Sequence, residues 1–317
     1  MIAIERAPPY LTVQDDGRRR SRAAGVPRAG AMDSFALGAA NAVVGNSLSA
    51  AVLEWGLGGG SIRFEEECFF ALAGAAPSAT LAGAPVAPLT TIQARSGDEL
   101  VINQLDSGWF LYIAFRGGLD VPVVLHSRST YLPGKFGGFE GRLLRNGDSL
   151  RLREPLGPAP SPGFHVPANL IPAYAAGVVH VTPGPQGSLF NEHAWRSVLD
   201  NGFRISNASD RTGYRLEGTA LTMTGAALAS EAGCPGAIQV PGDGKLIALM
   251  ADAPTVGGYP KIAVISEPDL PILAQRQPGQ TVRFELITIE QSQRAARRRA
   301  SELNTIRHLA ESSLRRA

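Results

Sequence analysis

Residues 233–265 read GCPGAIQVPGDGKLIALMADAPTVGGYPKIAVI, and this stretch decides the fold class. Ala237 to Val240 is a short strand pattern that stops at Pro241. Pro241-Gly242-Asp243-Gly244 is a turn, because proline presets φ and glycine supplies positive φ. Lys245 to Met250 is an apolar run short enough to be a buried strand. The loop Asp252 to Lys261 then places a carboxylate, a hydroxyl, a phenol and an ammonium within one segment shaped by Gly257, Gly258, Pro254 and Pro260. Strand, tight turn, strand and loop in this order belong to a β scaffold that carries its binding groups on loops. The plainer alternative is a long barrel loop with solvated polar residues.

Working outward, the same turn-and-strand pattern recurs three times. Ser96-Gly97-Asp98-Glu99-Leu100-Val101-Ile102, Asn146-Gly147-Asp148-Ser149-Leu150-Arg151-Leu152 and Pro278-Gly279-Gln280-Thr281-Val282-Arg283-Phe284 each turn into an alternating strand. Barrels and sandwiches are built this way. Trp109 to Ala114 is a further strand pattern, residues 1–13 an opening strand, residues 51–74 two strands around Gly58-Gly59-Gly60, and Val178 to Val181 another. Helical patterns are few. Asp33 caps one that Gly45 ends, Ser188 caps a second running to Leu199, and Asp269 caps a short third ending before Pro278.

The 317 residues include 36 glycines and 23 prolines, with 44% hydrophobic and 18% charged content. Those values describe a soluble globular chain rich in turns, with room for two domains. Six prolines between residues 154 and 173 (Pro155, Pro158, Pro160, Pro162, Pro167 and Pro172) mark a linker. The expected organisation is therefore 1–153, a linker at 154–173, a second β domain at 174–288 and a basic helix at 289–317. That tail holds seven arginines and three glutamates, so its net charge is +4 against +2 for the whole chain. Ala296, Ala300, Leu303, Ala310 and Leu314 fall near one face of it, as in a solvated helix packed by an apolar edge. An arm that docks a partner or binds RNA is the alternative.

Several function classes are excluded. The body carries no basic stripe, so nucleic acid is not an expected partner. No run reaches the roughly 18 apolar residues of a membrane span, and the first residues are no signal peptide, so a cytoplasmic location is expected. Cys68 and Cys234 form no disulfide framework. The five histidines are scattered, which argues against a histidine metal site. There is no G-x-S-x-G elbow. Gln239 stands where a Walker loop before Gly244-Lys245 needs its first glycine. The glycine run at 56–60 puts Ser61 where a dinucleotide fingerprint needs glycine.

The motifs in order resemble a known family, the allophanate hydrolase subunit 2-like or biotin-dependent carboxyltransferase family. They are Thr12-Val13-Gln14-Asp15-Asp16-Gly17-Arg18, Gly25-Val26-Pro27-Arg28-Ala29-Gly30-Ala31-Met32-Asp33, Ala40-Asn41 and Arg116-Gly117-Gly118-Leu119-Asp120-Val121-Pro122. Ser127 to Tyr131, Phe136 to Arg142, Pro183 to Gln186, Ser209 to Leu216, Gly236 to Pro241 and Gly257 to Lys261 continue the series. The family includes the C component of 5-oxoprolinase, an antagonist of a sporulation kinase inhibitor, and part of the carboxyltransferase domain of urea amidolyase. The resemblance implies a β-rich, cyclophilin-like fold, which agrees with the mainly β reading of the residues: two β-barrel-like domains, a few short helices and a C-terminal helix. Two features depart from the family: the basic run Arg19-Arg20-Ser21-Arg22 and the arginine-rich tail after residue 288.

The resemblance also implies a role. The expected function is a subunit of a multi-subunit enzyme working on an amide or ureido group. Either it takes part in ATP-dependent opening of the 5-oxoproline lactam, or it moves a carboxyl group from carboxybiotin to a urea-like nitrogen. The chain is expected to be inactive alone, to pair with a subunit-1-like sister protein, and to act on a small-molecule substrate. It is expected to hold no cofactor by itself, with ATP or carboxybiotin entering at the level of the complex. It lacks the Met-Lys-Met tripeptide to which biotin is attached. The second function class is a non-catalytic regulatory protein that antagonises a partner inhibitor.

Both reactions develop negative charge on oxygen and need fixed donors there. Lys261, Arg211, Tyr214 and Tyr259 are suitable donors. Asp210 or Asp252 can carry a proton if burial raises the carboxyl pKa. Gln239 donates and accepts at once, which suits a lactam or ureido edge. Thr255, Gly257 and Gly258 complete the expected site, with Lys261, Asp252, Asp210 and Arg211 as its catalytic members. Each residue also has a structural alternative: Arg211 pairing with Asp210 or Glu217, Asp252 bonding loop backbone, and the two glycines serving only positive φ.

Overall fold

Two long strands organise the first half of the chain. The computed structural model describes residues 1–158, 161–222 and 228–313. Pro160, Leu314, Arg315 and Arg316, expected in the linker and tail, lie outside these. In chain order the strands and helices of the first part are β1 Ile2–Arg6, β2 Tyr10–Gln14, α1 Ser34–Val43, β3 Val52–Gly56, β4 Gly60–Phe64 and β5 Cys68–Leu81. They continue with β6 Ala84–Pro85, β7 Ile92–Ala94, β8 Glu99–Phe115 and β9 Ser149–Leu150. The 14-residue β5 and the 17-residue β8 pair antiparallel from Phe70↔Phe115 to Leu81↔Leu100. β8 also pairs with β3 and β4, and among the described residues nine strands form one sheet. Its buried face carries Trp55, Ile62, Phe64, Phe70, Ile102 and Phe115, the aromatic and branched side chains that fit a pleated surface.

α1 starts where the sequence places it: the Asp33 carboxylate accepts from Ala36 N–H at 2.8 Å, and Gly45 follows the helix at φ 72°. The opening strand is two strands, broken at Ala7-Pro8-Pro9, because neither proline can donate to a ladder.

The second part holds β10 Val178–Pro183, α2 Glu192–Asp200, β11 Gly202–Ile205, β12 Gly213–Glu217, β13 Glu231–Ala232, β14 Ala237–Gln239 and β15 Leu246–Leu249. It ends with β16 Val256–Gly257, β17 Lys261–Ile265, α3 Leu270–Ala274, β18 Thr281–Leu286 and α4 Ile289–Ser313. Seven strands close into a barrel in the order β10-β17-β14-β15-β12-β11-β18, and the parallel β10–β18 pair makes the closure. β13 and β16 form a separate two-stranded ribbon outside it. The expected turn closes between β14 and β15, with Gly244 N–H on Pro241 C=O at 2.9 Å and Gly244 at φ 74°. The mainly β architecture expected from the motifs is therefore present.

One helix starts later than expected. Asn191, not Ser188, caps α2 by accepting from Ala194 N–H at 2.9 Å, and Gly187–Leu189 is a single 3-10 turn. The Asp269 carboxylate also does not cap α3. It receives the backbone N–H and ring Nδ1 of His180 instead.

Chain contacts separate two compact units. One comprises residues 1–18, 29–172 and 300–317, the other 19–28 and 173–299. The basic run near residue 20 is thereby divided. Arg18 is fully buried in the first unit, donating to Ser129 C=O at 2.5 Å with its guanidinium 4.8 Å from the Phe136 ring centre. Arg22, in the second unit, donates to the carbonyls of Gly233 and Pro254. The prolines at 155 and 158 follow a clasp. Arg116, nearly buried, reaches Val44 C=O and the carbonyls of Leu156, Gly157 and Pro158.

The tail is a helix packed by one apolar edge. From residue 300 it belongs to the first unit, where Ile306 is fully buried and Ala310 nearly so. Leu303 lies so close to α1 that a Cβ on Gly38 would stand 3.2 Å from its Cδ2. Ala300, expected on the packed face, is exposed. Ile306→Ala is expected to destabilise the protein by about 2–5 kcal/mol, the range for emptying a buried branched side chain. An unchanged midpoint in chemical denaturation would count against this packing.

Candidate functional site

The sequence-expected residues fall into three groups within the barrel unit, and one group gathers as a candidate site. Its centre is a bulge. On β14, Ile238 pairs with Ala263, but Gln239 pairs with Lys261, so Ile262 is skipped. Bulges re-aim side chains, and this one sets Lys261 beside Gln239. Both are buried, at 2% and 4% exposure. Lys261 is thus not a lysine lying over a barrel rim.

Three segments complete the surroundings. Pro183 to Gln186 wraps the Lys261 backbone: Lys261 N–H donates to Gln186 Oε1 at 3.1 Å, and Gln186 N–H to Lys261 C=O at 3.3 Å. Only glycine fits at residue 184, where a Cβ would sit 2.2 Å from Lys261 O. Gly257 on β16 approaches the carboxamide of Gln239, a Cβ there standing 3.2 Å from Nε2. Its role is close approach, since neither Gly257 nor Gly258 has positive φ. Opposite Gly257 on the ribbon is Glu231, whose carboxylate receives Lys261 Nζ at 2.5 Å. The Lys261 ammonium, with a further hydrogen bond from Gln186, holds the Glu231 carboxyl below its usual pKa range. The pair is lopsided, because the Lys261 side chain is 3% exposed and that of Glu231 40%.

A second group is a lock. Arg211 and Asp252, both buried, form a two-pronged pair with Nε–Oδ2 at 3.0 Å and Nη2–Oδ1 at 2.9 Å. Asp252 N–H also donates to Arg211 C=O at 2.9 Å. The fork of Arg211 is thus spent on Asp252, and Glu217 is held by Arg204. Asp210 is exposed and accepts from Thr212 and Gly213 N–H, the ordinary work of a turn aspartate.

The third group separates from the site. Tyr214 is fully buried and its hydroxyl donates to Ala274 C=O at 2.8 Å. Its neighbours across the barrel are Ala248, then Ile238, then Ala263, an alternation of large and small that makes room for the ring. It is a core residue and not a ligand-facing donor. Tyr259 is exposed and lines, with Gly258, Val240 and Pro241, an open cleft of about 580 Å³ that neither Gln239 nor Lys261 reaches. Thr255 is half-buried, its carbonyl accepting from Gly233 N–H at 3.0 Å.

Sequence reasoning missed Gln186 and Glu231. Gln186 carries a signal, since it closes the Pro183 to Gln186 motif. Glu231 carries none. In the first unit the motif residues are consumed in one welded junction. Asp15 accepts from Gly17 N–H, Arg128 N–H, Ser127 Oγ and Ser129 Oγ, and Gly137 and Gly138 leave no room for a Cβ against Ser129 and Thr130.

Residues 24–286 match the family described as carboxyltransferase domain, subdomain A and B. The chain belongs to this carboxyltransferase-domain family. Among its relatives is the C component of the 5-oxoprolinase of Escherichia coli, 37% identical over 93% of this chain and 94% of that one. The namesake of Haemophilus influenzae is 34% identical over 98% of each. A urea amidolyase from Lachancea kluyveri is 34% identical over 89% of this chain but only 16% of its own length. The crystal structure of the K. lactis urea amidolyase matches at a TM-score of 0.90 and 30% identity, covering 96% of this chain and 20% of that one. This carboxyltransferase-domain chain therefore spans about a fifth of the urea amidolyase it resembles in structure. Among its described residues no three His, Cys, Asp or Glu side chains cluster as metal ligands, and no helix is long and apolar enough to cross a membrane. Cys68 and Cys234 are both free thiols.

Proposed function

We propose that this chain is the counterpart of the C component in a cytoplasmic, ATP-dependent 5-oxoprolinase, inactive until it joins a subunit-1-like sister protein. One observation carries this: the match to the C component of 5-oxoprolinase runs end to end in both proteins, 93% of this chain against 94% of the relative. The urea amidolyase relatives contain the same domain as a small part of a larger chain. The site chemistry is compatible with both. Gln239 presents a carboxamide to the edge of a planar lactam or ureido group, and Lys261 offers a buried positive charge to a negatively charged oxygen of the ligand.

ATP supplies the driving force for lactam opening, or carboxybiotin the carboxyl group for transfer, and either enters with the other components of the complex. This chain's own part is to hold the amide plane against Gln239 and to set Lys261 at the charged oxygen. Arg211 and Asp252 act through position, tying the loop before β16 to the loop before β12.

Co-expression with the sister protein, followed by size exclusion and an assay of glutamate release from 5-oxoproline with ATP, tests the proposal. A co-eluting complex with ATP-dependent turnover is expected at micromolar concentration. Carboxylation of urea by carboxybiotin, with 5-oxoproline untouched, would overturn it in favour of the transferase.

A further inference from the structure

Lys261 and Glu231 are an unequal pair. A buried ammonium ordinarily meets a buried counter-charge, but here the partner is a carboxylate almost half open to solvent. That carboxylate does not come from the barrel wall. It is carried by β13, two residues long, whose ladder partner is the equally short β16. Two cross-strand positions are a weak hold, since isolated two-stranded ribbons are marginal in water.

The barrel side, by contrast, is over-determined. Lys261 is fixed by the β17 ladder and the bulge, and Gln186 by reciprocal backbone and side-chain bonds to Lys261. Gln186 Oε1 accepts from Lys261 N–H, which leaves the carboxamide nitrogen as the donor of that side chain. An ammonium fixed by the barrel, with the Gln186 carboxamide tied to its backbone, thus meets a carboxylate delivered by a loosely held strand. Charge-assisted bonds of this type are the usual means of gripping a carboxylate.

We propose that Lys261 and Gln186 form a carboxylate cradle for the ligand, and that Glu231 is its built-in, displaceable occupant. This rests on the assignment above of a small amide or ureido ligand to the site, and it names what else that ligand carries: a carboxylate within reach of the amide edge held by Gln239. A lactam acid has this pattern, and so does an N-carboxylated ureido group. The uncharged lactam does not. When the ligand carboxylate enters, Glu231 leaves Lys261, and the ribbon that bears it moves with it. The ligand's apparent affinity is reduced by the fraction of molecules in which Glu231 holds the cradle. The same occupant rejects ligands with no carboxylate, because they cannot replace the charge that Lys261 loses.

Titration calorimetry on the full chain at neutral pH tests this with two probes, 5-oxoproline and uncharged 2-pyrrolidone. Glu231→Gln is expected to bind 5-oxoproline at least tenfold more tightly than the parent, with no gain for 2-pyrrolidone. Glu231→Ala serves as a second variant, and thermal unfolding of each checks the fold. Lys261→Met in the Glu231→Gln background is expected to abolish the gain. Unchanged or weaker binding of 5-oxoproline by both Glu231 variants overturns the cradle, as does an equal gain for 2-pyrrolidone. The outcome separates from that of the proposed function. An active complex with unimproved Glu231 variants removes the cradle alone, and tighter binding without turnover in any complex removes the function alone.

Discussion

Replacing Lys261 by methionine is expected to lower kcat/KM of the assembled complex by about 10²–10³-fold, the usual cost of removing one preorganised donor. The fold is expected to survive. Methionine keeps most of the apolar stem in a pocket where Lys261 is 2% exposed, and losing the ammonium also removes the cost of burying it. The partner left behind is not stranded, since the Glu231 side chain is 40% exposed and can turn to water. Turnover near the parent rate in a complex with normal unfolding behaviour would exclude Lys261 from the site.

Asp252→Ala acts in the opposite way, on stability first. It removes the two carboxylate oxygens to which Arg211 Nε and Nη2 donate, and with them the counter-charge of a guanidinium that is only 8% exposed. Breaking one side of such a pair costs about 3–5 kcal/mol. The double variant Arg211→Met with Asp252→Leu is expected to regain much of that loss, because the stranded charge is then gone. A denaturation midpoint for Asp252→Ala equal to the parent's would show that the pair does not hold the two loops. These outcomes distinguish the roles: Lys261 affects turnover at constant stability, whereas Asp252 affects stability, with turnover following the fraction folded.

The parts of this fold legible in the sequence are those settled by near neighbours. Asp33 caps α1 three residues away, Pro241 and Gly244 close their own turn, and the alternating strands after the repeated turns need only their own residues. The site is half legible. Gln239 and Lys261 announce themselves by standing polar at the ends of apolar strands, and Gly257 marks a close approach. Their partners are remote, with Gln186 in the chain before α2 and Glu231 on a strand too short to have a period. Tyr214 is misread because a tyrosine looks the same in sequence whether its hydroxyl meets a ligand or the backbone of α3. Only the alanines beside it, brought in by barrel register, show that it is core. Asp210 and Arg211, adjacent in sequence, serve different partners for the same reason. In the tail, a face chosen mainly by alanines includes the exposed Ala300 and misses Ile306, because burial there is decided by residues of the first unit remote in sequence.

That last contact bears on how the protein is made. Gly38 leaves the ribosome early, and Leu303 and Ile306, which share its unit, emerge after almost the whole chain has followed. At elongation rates of about 5–20 residues per second the delay is on the order of ten to fifty seconds. During that interval the nascent first unit lacks part of its own core and exposes an apolar patch on α1. A stalled or prematurely terminated product keeps the patch uncovered, which makes it a substrate for chaperones and proteases even though both sheets are otherwise formed.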